Sequence, residues 1–552
     1  MSTKTATPAD RYSADQIAEF RAKGYWDSRS LAWYVDKFAA ENPDAVVLTD
    51  DYSTLTRGEL RAQAYRFAAS LKKLGVVAGD RVQVQLPNWN EYVVIYVALA
   101  RLGATLVPTM PVYRDDEVKY VIDNAGAKIS IVTEEFRHFN YVDMIAEIRT
   151  TTPGIENVIV VRGNATGGNL SFDDLIAGDT VPTDDELGPV PGPDENHAVI
   201  YTSGTESRPK GCQHTFATMA FTAHSLARDV FGLTEHDVMF MPTPVTHATG
   251  LAAGVMLPLM YGAAIHLVDV WEPNDGLRRI ERYKTTVSIA ATPFLQMALG
   301  ALKGGSTSDI SSMRIWASAG APIPEAMLKD WRSLIPGCLA LPVYGNSEAL
   351  IVTAMRKDDP EEKAVSTDGR APEGIAVEIR DENNTAVGVG EEGEIKFTSP
   401  GMLVAYWQNP EKTSETIGPD GFFSTGDLGK LDAEGFLRVT GRIKDLIIRG
   451  GLNISAREVE ENAATHPEIA AIAAVSMPDE RMGEKVCAFI VAAGDRQLTI
   501  EELAAYLQGE RKIAAQKCPE KIIYIDELPS TATGKVKKFE LRQIAAASLL
   551  SA

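Results

Sequence analysis

Cysteine is scarce and scattered: Cys212, Cys338, Cys487 and Cys518 stand far apart in a chain of 552 residues. That argues against a disulfide framework and fits a reducing compartment. None of the four has metal-ligand spacing with another, and the eight histidines form no HExxH pattern, so a zinc site finds no support. Long apolar runs are missing too. None reaches the ~18–20 residues of a membrane span, and the opening "MSTKTATPADRYSADQ" has no apolar signal core. Positive charge is in deficit, with 54 Lys and Arg against 75 Asp and Glu, a net charge of -21. Such a surface repels nucleic acid and anionic lipid, so neither is an expected partner, and an anionic substrate needs a local basic focus. A soluble, cytoplasmic enzyme is the expectation. Hydrophobic content of 45% and charged content of 23% are those of a globular chain, long enough for several units with ample core.

The first half alternates strand-like and helix-like segments. "DRVQVQLP" (80–87) reads as a strand closed by Pro87, "WNEYVVIYVALARLG" (89–103) as a helix stopped by Gly103, and "ATLVPTMP" (104–111) and "AKISIVT" (127–133) as further strands. This alternation predicts an α/β fold of parallel sheets covered by helices. "HAVIYTSG" (197–204) is a strand entering a loop, where open α/β sheets gather ligands. The Gly-, Pro- and Asp-rich stretch 160–196 reads as a surface excursion between two sheet-bearing halves. Short strands with turn signals over 388–440 predict a smaller β-rich subdomain. After "TGRIKDLIIRGG" (440–451) the chain restarts, with Ser455 and Glu458 spaced as a capping box. "AIAAVSMP", "KVCAFIVAA" and "KIIYIDEL" read as strands and "TIEELAAYLQGERKI" as a helix. The expected organisation is a domain at 1–442 and a small α+β domain at 443–552.

Residues 201–211, "YTSGTESRPKG", form a hydroxyl-rich loop closing on Lys210. A Walker A loop requires GxxxxGK[ST]. Here Pro209 stands in place of the second glycine and Gly211 in place of the Ser/Thr that holds Mg²⁺. Pro209 lacks an N–H and fixes φ, so it cannot join a nest of amides. Four further stretches follow in order: "YGNSE" (344–348), "STGDLG" (424–429), "GRIKDLIIRGG" (441–451) and "PSTATGKVKKFELR" (529–542). Together with "GDRVQVQLPN" (79–88) and "GATLVP" (103–108), the five resemble the adenylate-forming superfamily of acyl-CoA synthetases, stand-alone adenylation enzymes and luciferases, over nearly the whole chain.

The resemblance implies a large N-terminal domain of stacked α/β sheets and a β-barrel, with a small mobile α+β C-terminal domain turning about a hinge near Lys444. It implies two steps. A carboxylate attacks the α-phosphate of ATP with release of pyrophosphate, and a thiol, usually of CoA, then displaces AMP. Two anions meet in the first step, which calls for Mg²⁺ and fixed cations. By motif position, Lys535 is the catalytic lysine, although Lys537 and Lys538 are equally basic. Glu348 and Thr205 are the Mg²⁺ ligands. Tyr344, Gly345 and Ser347 lie along the adenine and α-phosphate, and Gly320, Ala321 and Pro322 of "SAGAP" border adenine and the acyl pocket. Asp427 accepts from the ribose hydroxyls, and Arg442 approaches the ribose or phosphates. Thr202, Ser203, Gly204, Thr205 and Lys210 wrap the β- and γ-phosphates. His247 lies between the acyl pocket and the CoA tunnel. Gly450 and Gly451 swing in to let a pantetheine thiol pass close to backbone.

This chain departs from the superfamily loop at Glu206 and Ser207, where threonine and glycine are usual; pairing of Glu206 with Arg208 or Lys210 is the simplest expectation. The acyl pocket is expected from 246–254, 289–295, 316–320 and 345–351, segments that are small and apolar with one tryptophan, Trp316, and no acidic group for an α-amine. They point to a hydrophobic carboxylate of medium-chain, alicyclic or aryl type. Transfer of the acyl group to a carrier protein in place of CoA is the alternative, a nucleotide-binding homologue without turnover a third hypothesis, and a homodimer one assembly compatible with the chain.

Overall fold

A computed structural model of the chain describes residues 5–202, 208–321, 323–531 and 535–549. Two eight-stranded sheets make the large domain. In the first, the strands run Thr353–Ala354, Leu339–Tyr344, Ile315–Ala319, Val287–Ala291, Val238–Met241, Ala264–Leu267, Val46–Thr49 and Thr54–Thr56. In the second they run Ala405–Tyr406, Gly211–Thr215, Asn196–Tyr201, Thr105–Pro108, Arg81–Gln85, Ile129–Thr133, Asn157–Val161 and Leu170–Ser171. Most inner pairs are parallel, while Asn196–Tyr201 and Gly211–Thr215 pair antiparallel. Strands buried on both faces read as unbroken apolar runs, and all five residues of Ile129–Thr133 are buried.

The helix Asn90–Leu102 has eleven of its thirteen residues buried. A helix apolar on every side belongs inside, and each Val, Ile or Leu buried there contributes roughly 2 kcal/mol. Gly103 ends it in the left-handed region at φ 71°, as anticipated.

The stretch 160–196 does not separate two sheets. The strands on either side of it, Asn157–Val161 and Asn196–Tyr201, belong to the same sheet. The excursion adds the edge strand Leu170–Ser171 and two short helices, Phe172–Ile176 and Asp184–Leu187, and Asp184 pairs at 2.9 Å with the buried Arg101. Polarity at the sequence level marked the loop but not where it returned.

The β-rich part is a four-stranded antiparallel sheet, Ala376–Arg380, Gly393–Thr398, Phe423–Leu431 and Leu437–Arg442. Arg370 bridges it to the first large sheet, pairing with both Ala354 and Phe436. The small domain packs the helices Ala456–Ala463, Ile500–Gly509 and Lys538–Ala547 around a five-stranded sheet of Leu452–Ser455, Leu446–Arg449, Gly483–Ala492, Ile469–Asp479 and Lys521–Tyr524. The capping box expected at Ser455 is half formed. Ser455 Oγ accepts from the N–H of Glu458 at 3.3 Å and donates to the carbonyl of Thr440 at 2.7 Å. The Glu458 carboxylate turns instead to Lys517 Nζ, at 2.8 Å. All four cysteines are buried and unpaired. Among the described residues no helix is long and apolar enough to cross a membrane.

Candidate active site

Several strands of the large domain end at one place. Thr202 follows Tyr201, Thr243 lies two residues past Met241, and Ala291, Ala319 and Tyr344 are themselves terminal strand residues. Loops beyond carboxyl strand ends are where such sheets bind ligands. Here they meet the strands Phe423–Leu431 and Leu437–Arg442 and, from the small domain, Lys535, around a cleft of about 590 Å³. A second, narrower cavity of about 60 Å³ opens beside it, and His247, Asn346, Ser347 and Lys535 line both.

The loop expected to hold phosphate joins two antiparallel strands, Asn196–Tyr201 and Gly211–Thr215, whereas a Walker A loop leads into a helix. Its base is closed by Thr202 and Lys210. The Thr202 N–H donates to the Lys210 carbonyl at 2.9 Å, and the Lys210 N–H donates to Thr202 Oγ1 at 3.1 Å. Ser203, Gly204, Thr205, Glu206 and Ser207 lie outside the described residues, as does Pro322. Arg208 faces Asp116 at 3.7 Å.

Asp427 and Arg442 are cross-strand partners, which sets their side chains within reach. Arg442 Nε lies 2.7 Å from Asp427 Oδ1, and the Tyr344 hydroxyl donates to Oδ2 at 2.7 Å. Gly426, at φ 70°, stands at an irregularity in its strand beside Asp427, and its N–H donates to Glu394 at 3.1 Å. The Asp427 carboxylate holds the Arg442 guanidinium above its ordinary range. Burial, reinforced by Asp427, pushes the Tyr344 phenol well up, so it stays a donor.

The turn after Tyr344 is tight. Asn346 Oδ1 accepts from the Ala349 N–H at 2.9 Å, and Leu350 adopts φ 65°, a conformation costing roughly 1–2 kcal/mol for a branched residue. A Cβ on Gly345 would stand 2.4 Å from the Leu350 carbonyl oxygen, so only glycine fits there. The Ser347 carbonyl accepts from His214 Nε2 at 2.9 Å. The Glu348 carbonyl accepts from the Leu403 N–H at 2.6 Å, and its Oε1 from the Tyr406 hydroxyl at 2.7 Å.

Lys535 reaches the junction of the two cavities from the small domain. Its backbone is tied to Thr531, which donates an N–H to its carbonyl at 2.7 Å. Burial lowers the ammonium's pKa, and Arg442 lowers it further, while Asp427 and Glu348 act the other way. Lys537 and Lys538 are engaged elsewhere, with Glu540 at 2.9 Å and Glu460 at 2.8 Å. Of the three lysines, Lys535 alone lines the cleft. Burial and Lys535 push His247 down to about 4. Its Nδ1 accepts from the Thr249 N–H at 3.3 Å, so the neutral ring carries its proton on Nε2.

The narrow cavity is lined by Thr243, Pro244, Ala248, Ala291, Phe294 and Leu350, along with Gly320 at φ 84°. Ala321 lies beside it, its carbonyl accepting from Thr292 Oγ1 at 2.7 Å. Trp316, expected in the pocket wall, is fully buried and stacks edge-on against Trp331. Its strand alternates, so its side chain faces the opposite layer from the pocket. Lys444 lines the cleft. Gly450 and Gly451 do not. They cap the hairpin Leu446–Arg449/Leu452–Ser455, where the Gly450 N–H donates to the Met482 carbonyl at 2.7 Å. Tyr406, Asn346, Phe294 and Glu394 were not singled out from sequence. Asn346 stood inside a quoted motif and Phe294 inside the expected pocket segment 289–295; Tyr406 and Glu394 carry no local signal.

The descriptions of two protein families match the chain: AMP-binding enzyme over residues 35–407 and AMP-binding enzyme C-terminal domain over 458–535. The chain belongs to the AMP-binding enzyme family. Among the members similar to it is the medium-chain fatty-acid–CoA ligase of Escherichia coli K12, 34% identical over 535 residues, covering 96% of this chain and 93% of that one. The 2,3-dihydroxybenzoate-AMP ligase of Bacillus subtilis 168 is 31% identical, covering 97% and 98%. A crystal structure of the anthranilate CoA ligase AuaEII in complex with anthranoyl-AMP superposes with a TM-score of 0.86 at 26% identity, covering 95% of this chain and 98% of that one.

Proposed function

We propose that this AMP-binding enzyme activates a hydrophobic carboxylic acid with ATP and passes the acyl group to CoA. The observation that carries the proposal is Lys535, delivered by the small domain to the junction of the apolar cavity and the polar cleft, beside Asp427, Arg442 and Glu348. An acid in the narrow cavity and ATP in the cleft would meet at that ammonium. The carboxylate oxygen bonds to the α-phosphorus, the bond to the bridging oxygen breaks, and pyrophosphate leaves. Lys535 offsets the repulsion between the two anions as charge builds in the transition state. Asp427 and Tyr344 hold the nucleoside, Arg442 approaches the ribose or phosphates, and Thr202 and Lys210 set the base of the loop over the outer phosphates. His247 walls the pocket and offers an N–H donor at Nε2; it holds no free lone pair there for general-base work.

Glu348 is the proposed Mg²⁺ ligand, with Thr205. Among the described residues no cluster of three or more His, Cys, Asp or Glu could cage a metal. Mg²⁺ is commonly held by one or two carboxylates together with substrate phosphates. Bound there, the ion would neutralise phosphate charge and stabilise the leaving pyrophosphate.

The domain boundary is proposed at 442/443, with Lys444 as hinge. Supporting it is a cluster of charges that spans the boundary. Arg457 of the small domain lies 3.7 Å from Asp368, and Arg438 lies 2.7 Å from Glu461. Rotation about 443–445 would break both pairs and carry Gly450 and Gly451 towards the cleft for the second step, in which the thiol sulfur bonds to the acyl carbon and AMP leaves. The cytoplasm is the proposed compartment.

A pyrophosphate-release screen over straight-chain, alicyclic and aryl acids, with and without CoA, tests the proposal. Acid-dependent release and an acyl-CoA product are expected. No release with any acid would refute it. Transfer to a holo-carrier protein in preference to CoA would establish the alternative acceptor, which similarity to the dihydroxybenzoate-AMP ligase over 97% of the chain keeps in view.

A further inference from the structure

Glu348 is not held by its own loop. The Tyr406 side chain is 4% exposed, and its hydroxyl donates its one proton to Glu348 Oε1 at 2.7 Å. Tyr406 is itself fixed from several directions. Ala405 and Tyr406 pair antiparallel with Gln213 and Cys212, in the strand that leaves the phosphate loop. The Tyr406 N–H donates to Thr413 Oγ1 at 3.0 Å, and the Trp407 N–H to the Gly211 carbonyl at 2.7 Å. The Leu403 N–H holds the Glu348 carbonyl, and the Val404 N–H donates to the Gln213 carbonyl at 2.8 Å. One segment, 403–407, therefore grips both the carboxylate and the strand that anchors the phosphate loop. Among the described residues Glu348 Oε2 takes no hydrogen bond, and Glu348 and Tyr406 both line the nucleotide cleft.

We propose that Tyr406 is a positioning residue for the first half-reaction: by occupying Oε1 it leaves Oε2 as the single oxygen offered to the cation that accompanies ATP. The inference rests on the role proposed above for Glu348. A carboxylate with two free oxygens can turn or chelate through both. One pinned at Oε1 presents a single oxygen in a fixed direction, which suits an ion demanding near-octahedral geometry and taking its other ligands from phosphate and water. Partners that orient a ligand from outside the coordination sphere commonly change metal affinity about 10–100-fold when removed.

Tyr406→Phe keeps the ring and the strand and removes the hydroxyl. Mn²⁺ titrated into the full-length enzyme with ATP and no acid, followed by electron paramagnetic resonance, should bind about tenfold more weakly. The Mg²⁺ needed for half-maximal pyrophosphate release should rise by a similar factor. The rate at saturating Mg²⁺ should stay within about threefold, and transfer of a supplied acyl-adenylate to CoA should not change. Tyr406→His, which keeps a ring N–H donor, should retain more of the Mn²⁺ affinity, and it keeps the test open should the phenylalanine variant fail to fold. Unchanged Mn²⁺ affinity in Tyr406→Phe, equal loss in both variants, or a uniform fall in both half-reactions at every Mg²⁺ concentration would overturn the inference. Glu348→Gln separates the two levels. If it leaves Mn²⁺ binding intact, Glu348 is not the ligand; if it weakens binding while Tyr406→Phe does not, only the role of Tyr406 fails.

Discussion

Lowering the pH from about 7.5 to about 5 should strip the large domain of much of its stability, and four histidines set the size of the effect, His247 of the cleft and three others. His197 is 8% exposed, and His214 and His266 are fully buried. His197 Nε2 meets the Tyr96 hydroxyl at 2.7 Å, and His214 Nε2 donates to the Ser347 carbonyl at 2.9 Å. His266 Nδ1 meets Thr49 Oγ1 at 2.8 Å, and its ring stacks on Tyr283 at 3.9 Å. Burial pushes each from 6.5 down to about 4. Between those values the unfolded chain holds protons that the folded chain excludes, so stability rises with pH across the window and is lost as pH falls through it. The part of the window above pH 5 is worth about 2 kcal/mol per ring, and the four together reach the ~5–15 kcal/mol that holds a typical domain folded. Urea titrations at several pH values, followed by fluorescence of the buried Trp26, Trp316 and Trp331, would show the midpoint falling steeply below pH 6.5. His266→Phe, which keeps a ring beside Tyr283, should remove about a quarter of the slope. A midpoint that is flat between pH 7.5 and 5, or an unchanged slope in His266→Phe, would refute the reasoning.

Two further perturbations address the cleft and the boundary. Asp427→Asn weakens the acceptor proposed for the ribose and the pair with Arg442; hydrogen bonds to charged groups are worth about 1.5–3 kcal/mol, so KM for ATP should rise roughly 10–100-fold with KM for CoA unchanged in steady-state assays. Arg457→Met removes the charge that faces Asp368 across the boundary and Glu461 one turn along its own helix. At about 1 kcal/mol for a partly exposed pair, single-turnover adenylate formation should slow about fivefold while acyl transfer to CoA is spared or faster, and an equal fall in both would confine the cluster to stability.

Much of this architecture was legible before any coordinates, because buried parallel strands and amphipathic helices write their period into the chain. "DRVQVQLP" and "AKISIVT" became the strands Arg81–Gln85 and Ile129–Thr133, and the turn-rich stretch 388–440 became an antiparallel sheet. Motif order placed Glu348, Asp427, Arg442 and Lys535 in one cleft, although they come from four different elements. What escaped was decided by partners distant in sequence. Glu458 could have closed a capping box, but Lys517 competes for its carboxylate. Trp316 looked like pocket wall, but strand parity turns it into the core. Tyr406 sits in a two-residue strand, too short to leave a periodic trace, and its importance lies in a hydroxyl that meets a carboxylate 58 residues away.

The measurement that bears most directly on the central claim is the separation of the two half-reactions in Lys535→Ala. Acid-dependent pyrophosphate release should fall about 10²–10³-fold, the effect of removing one fixed charge or donor from a transition state. Transfer of a chemically supplied acyl-adenylate to CoA should proceed at the wild-type rate. Full adenylation without Lys535, or equal loss of both steps, would contradict its assignment as the group that brings carboxylate and α-phosphate together.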